Sequence, residues 1–156
     1  MRGGIFEMIE NKNEGILNEI KKEFFIFRNG IVADKLKGLY PSGVIVYGLN
    51  VPQLKEISIR YGKDLELGKS LWEDKKSRES RLLALYILPP EVLEEQYAEK
   101  MIRDVRNDEE AELLAFRLLR HLPYAERLLV KLQNAEKFDN TKSAYCVNML
   151  AKNLGL

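Results

Sequence analysis

The stretch Asn107-Asp-Glu-Glu-Ala-Glu-Leu-Leu-Ala-Phe-Arg-Leu-Leu-Arg-His-Leu122 decides how this chain folds. Within it Ala111, Leu114, Ala115, Leu118, Leu119 and Leu122 fall at i, i+3, i+4, i+7, i+8 and i+11. That spacing gathers apolar side chains along one face of an α-helix. Asn107 or Asp108 starts the helix, and Pro123 opens the next, which carries Leu128, Leu129 and Leu132. Ala144, Val147, Leu150, Ala151 and Leu154 continue the pattern to the end of the chain.

Toward the N-terminus the same period persists. Val92/Leu93, Tyr97, Met101 and Val105 recur about every four residues. Ser77 to Leu88 reads as a helix stopped by Pro89-Pro90, and Asp64 caps a partner carrying Leu67, Leu71 and Trp72. A helix from Pro52 buries Leu54, Ile57 and Tyr61. Leu39 to Asn50, with Pro41, Gly43 and Gly48, reads as a loop; Val44 to Tyr47 within it resembles a strand but has no evident pairing partner. Ile31 to Lys37 forms a short helix closed by Gly38. Ile16, Leu17, Ile20 and Phe24 stripe a first helix ending near Asn29-Gly30. Helix pairs recurring roughly every 30 residues predict a single domain, 1–156, of stacked α-hairpins, with an irregular helical bundle as the alternative.

Composition agrees. The 156 residues are 46% hydrophobic and 31% charged, an ordinary globular balance that excludes disorder and collagen-like repeats. Ten Gly and five Pro are few for an all-β chain of this length. The single cysteine, Cys146, cannot pair within the chain, and no apolar run is long enough to span a bilayer. Met1 to Glu10 lacks the pattern of a signal peptide, so a cytoplasmic protein without membrane partners is expected.

The net charge of +1 hides a division. Residues 1–90 balance to +3, residues 91–112 to −6, and residues 113–156 to +4. Such charges are read first as solvated helix faces. They attract a polyanion only where the basic residues share a face.

Few residues here carry recognisable chemistry. There is no phosphate-cradling glycine loop, GxSxG, HExxH or paired CxxC, so no metal site and no cofactor is expected. His121, the only histidine, reads as a helix-end residue beside Arg120, and Cys146 as core packing. Asp108, Glu109, Glu110 and Glu112 form the one dense carboxylate cluster, which the helix dipole also favours at this position.

Three motifs go further. Tyr47-Gly-Leu-Asn-Val-Pro-Gln-Leu-Lys55, then Leu71-Trp72-Glu73, then Glu79-Ser-Arg-Leu-Leu-Ala84 resemble, in order and spacing, the DNA alkylation repair family of HEAT-like helical glycosylases, the AlkD-like proteins. A weaker likeness runs from Asp104 to Ala125, so the resemblance covers about residues 35–135. It implies an all-α superhelix of HEAT-like repeats that holds double-stranded DNA on a concave surface and excises positively charged alkylated bases. The family's cleft pairs aromatic rings with an aspartate, because a carboxylate stabilises the charge left on the sugar and ring faces contact the cationic base.

Residue by residue, the resemblance puts that aspartate on Glu112 and the cleft tryptophan four residues earlier on Asp108. The second cleft tryptophan falls beyond Leu156, and a usual arginine falls on Ser143, next to Lys142. Phe116 or Tyr124 is the available replacement ring, and Trp72 takes the family's structural, buried position. A truncated or divergent member is therefore expected, with base excision by Glu112 and Asp108 weak or lost. Its DNA contacts are expected from Lys75, Lys76, Arg78, Arg81, Arg117, Arg120 and Lys142. The competing reading is a short helical-repeat module that binds protein and catalyses nothing. In either case a second copy forming a homodimer is one way to cover the ends of the stack.

Overall fold

Helix is the only extended regular structure among the described residues. The computed structural model describes residues 2–135 and 138–156, and the side chains among these except those of 2, 3, 6 and 9–11. Glu136, one of the acidic residues counted in the C-terminal balance, lies outside the described residues. The helices are α1 (Arg2–Ile26), α2 (Gly30–Leu36), α3 (Val51–Tyr61), α4 (Leu65–Glu73), α5 (Arg78–Ile87), α6 (Glu95–Asp104), α7 (Asp108–Arg117), α8 (Ala125–Gln133) and α9 (Thr141–Asn153). Short 3-10 turns occupy Lys37–Leu39 and Leu119–His121. No helix among the described residues is long and apolar enough to cross a membrane.

Caps written in the sequence set most of the starts. The Asn50 side chain accepts the Gln53 N–H at 2.9 Å while the Gln53 side chain accepts the Asn50 N–H at 3.0 Å, a reciprocal capping box at the head of α3. Asp64 accepts from the Leu67 N–H at 3.0 Å, Asn107 from the Glu110 N–H at 2.9 Å, and Asn140 from the Lys142 N–H at 2.9 Å.

The chain forms two compact units, Met1–Ile87 and Leu88–Leu156. The first is organised around α5, which is buried along its whole length and packs on both α3 and α4. Arg78, Glu79, Ser80 and Arg81 are buried with it, so its polar start has to be satisfied from within. The Glu79 carboxylate does this by accepting the N–H groups of Tyr47, Gly48 and Leu49 at 2.9, 3.0 and 3.3 Å. Gly48 has φ +88°, and a Cβ there would stand 2.4 Å from the Asn29 carbonyl oxygen, so only glycine fits this corner. Val44 to Tyr47 does not form a strand, but it is not wholly unpaired: Ile45 makes one parallel bridge to Ser77, in the turn before α5. Trp72 is fully buried, as the motif implied.

The second unit centres on α9, which packs against α6, α7 and α8. Its buried face is Ser143, Cys146, Val147 and Leu150; Ala144, expected inside, is exposed. The α7 helix ends at Arg117 rather than continuing to Leu122. Leu118, Leu119 and Leu122 are nevertheless all buried, because the 3-10 turn keeps the apolar stripe facing inward. Pro123 lies in the turn before α8 rather than inside that helix.

Candidate functional site

In the second unit α7 and α9 lie side by side. Lys142 Nζ meets Asp108 Oδ1 at 2.8 Å, and the Tyr145 hydroxyl donates to Glu112 Oε1. The two contacts join residues 34 and 33 positions apart in sequence. A nearly constant offset means that the helices run parallel in register. One rung further along, Phe116 and Met149 line a groove of about 550 Å³ together with Glu109, Glu112, Leu113 and Asn153.

Glu112 is exposed at the edge of this groove, and Phe116 is 41% exposed within it. The Arg120 guanidinium lies over the Phe116 ring, 4.0 Å from the centroid. The Tyr145 phenol is pushed up to about 12, first by its hydrogen bond to Glu112 and then by desolvation and the negative charges of Glu112 and Asp108. It therefore stays protonated as a donor through the neutral range.

The carboxylate cluster does not act as one group. Glu110 is fully buried and accepts from the Arg106 backbone N–H at 2.9 Å and from the Arg106 guanidinium at 3.0 and 2.7 Å. Asp108 faces Lys142, and only Glu109 and Glu112 line the groove. Tyr124 does not line this groove, and its hydroxyl donates to the Leu93 carbonyl at 2.5 Å. Ser143 is buried and donates to the Ile102 carbonyl at 2.7 Å, fastening α9 to α6. His121 is exposed, with the Arg120 Nε 3.3 Å from its Nε2.

The basic residues divide as well. In the second unit Arg117 and Arg120 are half-buried, and the Lys142 side chain is exposed. In the first unit, Lys75 and Lys76 are exposed on the turn between α4 and α5. Arg78 and Arg81 are a correction: both are buried, so neither presents its charge to a phosphate. Arg78 donates to Glu79 Oε2 at 2.5 Å and to the Leu49 carbonyl at 3.0 Å, and Arg81 lies over the Trp72 ring.

Sequence reading missed Leu113 on α7, which lines the groove, and three residues of α9: Met149 and Asn153 in the groove and Tyr145 beside it. A spacing of four puts these α9 residues on one face. The 33-residue offset from Glu112 and Phe116 is the signal that links that face to α7.

The model of the DNA alkylation repair enzyme family matches residues 10–148, most of the chain. The chain belongs to that family. Neither a comparison with curated proteins nor one with solved structures returned a match. The matched span of this DNA alkylation repair family member includes α2 to α8 whole and all of α9 up to Asn148, so Glu112, Phe116 and Tyr145 all fall inside it.

Proposed function

We propose that this DNA alkylation repair family member binds double-stranded DNA, with its second unit contacting the duplex around the α7–α9 groove, and that base excision there is weak or lost. Arg117, Arg120 and Lys142 are the phosphate contacts on the second unit, and Lys75 and Lys76 those on the first. Contacts of this kind fix position without reading sequence and weaken steeply with salt.

One observation carries the catalytic half of the reading. By the resemblance Glu112 falls where the family has its carboxylate, and Phe116 lines the same groove; both are already engaged by side chains of the chain itself. The Glu112 carboxylate accepts from Tyr145, and a face of Phe116 carries the Arg120 guanidinium. Stabilising the positive charge that develops on a sugar as its base leaves requires a preorganised, uncommitted carboxylate. A side chain one methylene longer than aspartate and held by a phenol is poorly placed for that, where tolerances are about 0.5 Å.

The test is duplex affinity at two salt concentrations. Binding should fall by about a hundredfold or more between roughly 50 and 200 mM salt if five or so phosphates are neutralised. No binding at either concentration would refute the reading and favour a protein-binding module.

A further inference from the structure

We propose that Arg120 determines what can stack in the α7–α9 groove, acting as the chain's own occupant of Phe116. The groove has the chemistry of a site for a flat cation: two carboxylates (Glu109 and Glu112), the polarisable sulfur of Met149 and a 41% exposed aromatic ring line one hollow. A planar cation already lies against that ring, because the Arg120 guanidinium sits 4.0 Å from the Phe116 centroid, within cation–π distance. A second cation stacking on either face of the ring meets that charge across a single ring's thickness. The side chain is tethered only four residues away, so it competes at high effective concentration. In its natural form the groove therefore disfavours the positively charged ligands that its carboxylates would attract.

The inference takes its ligand class from the groove reading above, and its test does not depend on duplex binding. The probes are 1-methylnicotinamide, a flat ring with a fixed positive charge, and nicotinamide, its neutral counterpart. Both are titrated into the full chain while the groove methyl and ring signals are followed by NMR. If the guanidinium covers the ring about nine-tenths of the time, removing it raises cation affinity about tenfold. Arg120→Gln should therefore bind 1-methylnicotinamide about tenfold more tightly than the natural protein, with nicotinamide unchanged. Arg120→Lys, which keeps a charge beside the ring, should stay close to the natural protein. Adding Phe116→Leu to Arg120→Gln should remove the gain. Equal cation affinity with and without Arg120, or a gain shared by nicotinamide, would overturn the proposal. Duplex binding by the natural protein, measured alongside, separates the two claims. Intact duplex binding with no gain defeats this inference alone; a gain without duplex binding supports it and defeats the function reading.

Discussion

The guanidinium of Arg81 lies 4.0 Å from the centre of the Trp72 ring, and its Nε–H donates to the Trp72 carbonyl at 2.9 Å. Both side chains are fully buried, so the largest ring in the first unit and a buried cation of α5 form one packing element. Replacing Trp72 with Ala should cost about 3–5 kcal/mol, because it opens a cavity and strips the cover from the guanidinium. Trp72→Phe should cost less than half as much, since it keeps a ring and removes an indole N–H that has no acceptor. Denaturant unfolding measures both, and a loss below about 1 kcal/mol for Trp72→Ala would contradict this packing.

Glu79 should tolerate substitution no better. Glu79→Gln places an amide where three N–H donors and Arg78 require an anion, and removing one partner of such a buried pair costs about 3–5 kcal/mol. Gly48→Ala tests the same corner from the backbone side. Strain at its positive φ alone costs about 1–3 kcal/mol, before the clash with Asn29 is counted. Thermal or denaturant unfolding of either variant that matches the natural protein would show that the corner is not held this way.

The tie between Tyr145 and Glu112 has a spectroscopic signature. The Tyr145 phenol is pushed up to about 12 chiefly because it donates a hydrogen bond to Glu112, so Glu112→Gln should move it down toward the ordinary 10.0. Ultraviolet titration, with Tyr145→Phe used to assign the signal, reads this directly. An unmoved phenol would mean the hydrogen bond is not made in solution.

Alkaline pH should destabilise the fold. Burial pushes the Cys146 thiol up from 9.0 to about 12, and burial is also the main cause raising the Tyr61 and Tyr124 phenols to about 12. Above about pH 9 the unfolded chain releases protons that the folded chain keeps, so stability should fall as pH rises from there toward 12. For the same reason the native thiol should react slowly with a thiol reagent near neutral pH and quickly once unfolded. Fast modification of the folded protein would place Cys146 outside the core.

Lys142 separates stability from binding. Its ion pair with Asp108 is exposed on both sides, so Lys142→Ala should change stability by less than about 1 kcal/mol. If Lys142 contacts a phosphate, the same change should lower duplex affinity and reduce the salt dependence by about one ion. Unchanged duplex binding would remove Lys142 from the interface.

What the sequence made legible was local. Asp64 and Asn107 announce their caps, and the stripe from Ala111 to Leu122 stays buried even though the helix that carries it ends at Arg117. The motif that placed Trp72 inside did so correctly. What stayed hidden depends on residues far apart in the chain. Arg78 and Arg81 look like surface cations until Glu79 and Trp72 are seen to draw them inside. Glu110 belongs to a solvent-facing cluster by composition and to Arg106 by geometry. The Tyr145–Glu112 contact joins positions 33 residues apart, and no local pattern on either helix predicts it.

Release of the base from an alkylated duplex, with the natural protein compared against Glu112→Gln, tests the central claim most directly. An occupied carboxylate and a ring already carrying a guanidinium predict slow release, at most slightly above the uncatalysed rate, and no difference between the two proteins. Robust release by the natural protein, abolished by Glu112→Gln, would contradict the account and make Glu112 a catalytic residue.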